Sequence, residues 1–162
     1  MLVSEQRSAV TTMRTVVALW YIGARSAADI VRTACDLLVA GFDGPALCEL
    51  AAAPYDLTDS EVPDLLEPAL RDIGLPYHVP GSPSARFEAL AAVASLTLSH
   101  DITPSALVVH AYWNSDEGDE FALPLKQFHD FYAFGSHGDA EGDEIDAKVM
   151  AQARRIVEAI PW

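Results

Sequence analysis

Five histidines, two cysteines and twenty-four carboxylates are the side chains here that could do chemistry, and their spacing decides which chemistry is open to them. A zinc site needs three or four converging ligands, and recognisable sites repeat them at short fixed spacing, as in HExxH. None of His78, His100, His110, His129 and His137 forms such a pair. The nearest grouping is His129, His137 and Asp139, which a helix and the loop after it would bring around a metal ion to serve a small metal-dependent hydrolase. Acidic residues alternate from Asp139 through Glu141 and Asp143 as in a calcium loop, but Glu144 stands where the turn needs Gly and Met150 where the bidentate Glu belongs. Nucleophilic catalysis lacks its usual presentation, since there is no GxSxG and neither Cys35 nor Cys48 has a histidine beside it. No phosphate-binding glycine loop occurs. No catalytic residue and no cofactor is assigned, and both cysteines read as small core residues.

The remaining chemistry is binding. Trp20-Tyr21 and Tyr112-Trp113 are adjacent aromatic pairs. Neighbours on a helix point about 100° apart, so one member of each pair is expected in the core and the other at its margin. Trp113 runs straight into the acidic stretch NSDEGDE, Asn114 to Glu120. A half-buried core Trp is the plain reading, and an interface anchor rimmed with charge is the sharper one. The candidate binding residues are therefore Trp113, Asp116, Glu117, Asp119 and Glu120, joined by Asp139, Glu141 and Asp143 of a second acidic loop, Ser136 to Asp143.

The elements that must position these residues are helical almost throughout. Val10, Met13, Val17 and Trp20 recur at three and four residues and predict a helix ending near Gly23. Ser26 with Asp29 is an acidic capping box that opens a helix stopped at Gly41. The stretch Phe42-Asp43-Gly44-Pro45 supplies a cap candidate and a first-turn proline, and Pro54 ends the short helix that follows. Ser60 is the expected cap of a helix through Ile73, with Pro68 expected to kink or break it. Leu75 to Pro83 is the clearest loop. Helices then follow from Ser82-Pro83 and Thr103-Pro104, an aromatic helix spans Leu123 to Phe134, and a closing helix is capped by Asp143. The expected fold is all-α, a single domain over residues 1–162 built as an irregular bundle of about seven or eight short helices.

Charge is distributed unevenly. Residues 1–41 balance at +1 and residues 42–162 at −15, giving −14 in all. Ten Lys and Arg spread along the chain disfavour direct nucleic-acid binding and anionic membrane surfaces, while an acidic field favours solubility and encounter with a basic protein. No apolar run approaches the roughly 18 residues that span a membrane, and MLVSEQRSAV has no basic flank followed by an apolar stretch, so a reduced, cytoplasmic protein is expected.

Two blocks carry a resemblance: Leu38-Val-Ala-Gly-Phe-Asp-Gly-Pro-Ala-Leu-Cys-Glu-Leu-Ala51 and Leu66-Glu-Pro-Ala-Leu-Arg-Asp-Ile-Gly-Leu-Pro76. Together they resemble the "LVAG-D-PAL-ELA" and "AL-ELGIP" pattern of a group of small, uncharacterised all-helical proteins of actinobacteria. The resemblance covers roughly residues 28–160 and departs at Cys48, where a charged residue is commoner. It implies a bacterial helical protein and carries over no catalytic residue. The function these features favour is a non-enzymatic acidic binding protein, such as an immunity or antitoxin-like inhibitor of a basic partner. A metal-dependent hydrolase and a self-associating scaffold built on the aromatic helix are the alternatives, and the oligomeric state stays open.

Overall fold

Ser26 opens its helix in the way the sequence predicts. Its hydroxyl accepts from the Asp29 N–H at 3.3 Å, and the Asp29 carboxylate accepts from the Ser26 N–H at 3.0 Å. Each bond satisfies a donor that the helix itself leaves unpaired. The backbone and hydroxyl bonds from Ser26, with Arg25 and Arg32 nearby, hold the Asp29 carboxyl below its usual range. The computed structural model describes residues 2–135 and 140–160. Among these residues every regular element is a helix, so the chain is all-α. The contacts gather into two compact units, Met1–Ala85 and Arg86–Trp162.

The first unit holds α1 (Leu2–Trp20), α2 (Ala27–Val39), α3 (Pro45–Ala51) and α4 (Val62–Asp72). Met13, Val17, Ile30, Ala34, Leu37, Leu47, Leu50, Leu66 and Leu70 form its core. Truncating one of these fully buried leucines to Ala costs about 2–5 kcal/mol. Gly41, at φ 96°, leaves α2 in the left-handed region, and the Phe42 N–H returns to the Leu37 carbonyl at 3.1 Å.

Several local expectations change. The cap of α3 comes from neither Asp43 nor Gly44: the Asp72 carboxylate, at the end of α4, accepts from the N–H groups of Ala46 at 2.9 Å and Leu47 at 3.1 Å. The close approach requires glycine at 44, since an added Cβ would lie 2.6 Å from the Asp72 Cβ. Ser60 does not cap α4. Thr58 and Glu61 close that turn instead, with the Thr58 N–H donating to the Glu61 carboxylate at 2.9 Å and the Glu61 N–H to the Thr58 carbonyl at 2.9 Å. Pro68 does not break α4, which runs through it to Asp72. Cys35 is half-buried, but Cys48 is exposed on the outer face of α3 and is not a core residue.

The second unit takes most of α5 (Pro83–Leu98), then α6 (Pro104–Asn114), α7 (Leu123–Lys126), α8 (His129–Phe134) and α9 (Ala140–Glu158). The helix expected over 123–134 is two helices, which brings the count to nine among the described residues. The reason is local. The Gln127 side-chain amide donates to the Pro124 carbonyl at 2.8 Å, the acceptor a continuing helix would offer to the Phe128 N–H, and that N–H closes a tighter turn onto Leu125 at 3.0 Å. The first and last helices are the longest of those described, at 19 residues each. Asp143 does not cap the last helix, which already begins at Ala140. Among the described residues no helix is long and apolar enough to cross a membrane.

Candidate functional site

Thr103 fixes the start of α6: its hydroxyl accepts from the Ala106 N–H at 3.3 Å, and Pro104 fills the first turn. The helix then turns Leu107, Val108 and Ala111 inward, all at 0% exposure. The opposite stripe is Val109, Tyr112 and Trp113, spaced at three and four residues. Neither member of the Tyr112-Trp113 pair enters the core. Tyr112 is 42% exposed and Trp113 72%, so the half-buried core reading of Trp113 gives way to an outward-facing ring.

His129, at the start of α8, completes an aromatic cluster. Its ring lies flat on Tyr112, with centroids 3.7 Å apart and planes 14° apart. Trp113 meets both rings edge to face, at 5.1 Å and 80° from Tyr112 and at 6.2 Å and 85° from His129. Such arrangements add about 0.5–1.5 kcal/mol beyond area burial. The Asp130 carboxylate, itself 88% exposed, lies 3.4 Å from the His129 Nδ1.

The loop after α6 is tied down at several points. Lys126 Nζ donates to the carbonyls of Ser115 and Asp116, each at 3.0 Å. Arg86 pairs with the Asp116 carboxylate. Asp119 Oδ1 accepts from the N–H groups of Phe121 at 2.9 Å and Ala122 at 3.2 Å, and Gln152 donates to the Phe121 carbonyl at 2.8 Å. Two of the four predicted loop carboxylates therefore have structural duties, while Glu117 and Glu120 stand exposed. Those two are the charges of this loop without such a duty among the described residues.

The second acidic segment is placed differently from expectation. Glu141 and Asp143 are exposed on the first turn of α9 and belong to a helix, where their charge opposes the dipole favourably. Asp139 and His137 lie outside the described residues. His129, the third member of the suggested metal group, is committed to the Tyr112 stack. Among the described residues no group of three His, Cys, Asp or Glu side chains is arranged to hold a metal ion.

Two polar groups on the same helices, α6 and α8, are shifted by burial. Burial holds the His110 imidazole down to about 4, and its Nδ1 lies 3.3 Å from the Asn114 amide nitrogen. Tyr132 of α8 donates to Asp146 of α9 at 2.5 Å, and burial together with that carboxylate pushes the phenol upward. Sequence reasoning missed Tyr112, His129 and Asp130 as parts of this cluster. The helical wheel carried part of the signal: with Leu107, Val108 and Ala111 facing inward, Val109 and Trp113 fall on the far side, whereas Tyr112, four residues after Val108, does not.

Fold and edge together define an all-α protein carrying an exposed aromatic cluster beside unpaired carboxylates. No protein family, curated protein or solved structure matches the chain.

Proposed function

We propose that this protein is a non-enzymatic binding protein for a basic protein partner, which it engages through the edge formed by α6, the loop after it and the start of α8. The observation that carries this reading is Trp113, 72% exposed and directly followed by a carboxylate-bearing loop whose backbone is already fixed. A pre-ordered loop loses little entropy on binding. An immunity or antitoxin-like inhibitor, occupying the cationic surface of an enzyme that acts on nucleic acid, fits both the edge and the net charge of −14. The free thiols of Cys35 and Cys48 support a reducing, cytoplasmic setting.

The test is capture of the partner on immobilised protein at low salt, followed by affinity measurement across ionic strength. The expected result is a basic protein whose affinity falls about tenfold or more between roughly 0.05 and 0.5 M salt. A partner whose affinity ignores ionic strength overturns the proposal.

A further inference from the structure

We infer that the Tyr112, Trp113 and His129 cluster is the seat for an arginine side chain of the partner, with the guanidinium laid on the exposed indole face of Trp113. This rests on the reading of the protein as an acidic binder and adds the residue type recognised. Both contacts of Trp113 within the cluster are nearly perpendicular, at 80° and 85°, so no ring of the cluster is stacked flat on the indole, and the residue stays 72% exposed. Tyr112 is held differently, one face being covered by His129 at 3.7 Å. Trp113 is therefore the most exposed ring of the cluster. Indole is the strongest of the aromatic side chains for attracting a cation.

Charge decides which occupant suits that surface. Asp116, Glu117, Asp119, Glu120 and Asp130 all fall in the stretch from Trp113 to Asp130, in which Lys126 is the one Lys or Arg, and Arg86 reaches the same loop from α5. Arg86 is spent on Asp116, and the Lys126 ammonium on two backbone carbonyls. Asp130 touches the cluster itself, 3.4 Å from His129 Nδ1, and Glu117 follows Trp113 by one turn's length of chain. A second copy of the chain would bring the same negative edge and be repelled, and a phosphate backbone would be repelled likewise. A basic side chain is attracted. Arginine fits better than lysine because its guanidinium is planar, stacks on a ring face, sheds water more readily, and offers a forked set of donors to nearby carboxylates.

The test titrates the full-length protein with a hexa-arginine and a hexa-lysine peptide of equal charge, by calorimetry at low salt. The wild-type protein is expected to prefer the arginine peptide. W113A, and W113L, which keeps apolar bulk without the π face, are expected to weaken the arginine peptide by about two- to fivefold and bring it level with lysine. E117Q with E120Q is expected to weaken both peptides alike. Circular dichroism of each variant confirms that the helices persist. If both peptides bind with salt-dependent affinity but W113A and W113L leave the preference unchanged, the arginine seat is overturned while the acidic binder stands. If neither peptide binds, both readings fall. Concentration-dependent dimerisation that W113A abolishes overturns the seat in favour of self-association.

Discussion

His110 and His100 show how differently two histidines of neighbouring helices behave. Burial holds His110 down to about 4, and the adjacent Asn114 amide sits at a ring nitrogen that is comfortable when it carries no proton. An unfolded histidine titrates near 6.5, so between about 6.5 and about 4 the unfolded chain takes up a proton that the folded one refuses. Stability therefore falls as pH drops through that window, by at most about 1.4 kcal/mol per pH unit from this group. H110Q is expected to flatten this limb, measured as the difference in urea midpoint between pH 7 and pH 5. Equal slopes in variant and wild type would remove His110 as its source. His100 has the opposite problem: it ends α5 at φ 63°, with the Asp101 N–H returning to the Leu96 carbonyl at 3.0 Å. A residue with a Cβ is strained there, whereas glycine is not. Because His100 is exposed, H100G should raise stability by about 0.5–1 kcal/mol, and a fall in thermal midpoint would contradict that account.

Several helix boundaries set by residues within one turn of each other were legible, although the Thr58–Glu61 turn that opens α4 was not. Ser26 with Asp29, Gly41, and Thr103 with Pro104 all behave as the sequence implies, because caps and stops are local chemistry. The cap of α3 was not legible, since Asp72 lies 26 positions from the Ala46 N–H it accepts. The break at Gln127 was hidden for another reason: the aromatic spacing of 123–134 is compatible with one helix, and only a side-chain amide competing for one carbonyl divides it. The candidate site was half legible, with Trp113 and its loop visible but the His129 stack dependent on how α8 meets α6. Pro68 offers a test at this scale. It sits inside α4, half-buried, and denies the Asp64 carbonyl its helical donor. P68A is expected to raise the urea midpoint, by about 1–2 kcal/mol in stability, since alanine restores the bond and loses little packing. No gain would mean that the helix has already adjusted around the ring.

The acidity seen in the sequence does not belong to one compact unit. Eleven carboxylates face five Lys and Arg in the first unit, and thirteen face five in the second, so each carries its own excess. The ion pairs that oppose this excess are mostly exposed and close in sequence, as in Arg32 with Asp29, Arg71 with Glu67 and Lys148 with Glu144. Exposed pairs of this kind contribute about 0–1 kcal/mol each and are themselves weakened by salt. Repulsion among the surplus carboxylates acts through the whole molecule and is weakened by salt too, but with the opposite effect on stability. At a net charge of −14 the repulsion should win. The thermal midpoint is therefore expected to rise by a few degrees as sodium chloride increases from about 10 to about 150 mM, the range over which the screening length shrinks from about 30 Å to about 8 Å. Sodium chloride and potassium chloride should act alike if screening is the cause. A midpoint that falls over this range would mean that the local pairs, few as they are, outweigh the field, and it would weaken the case for a surface maintained at a cost in stability in order to meet a basic partner.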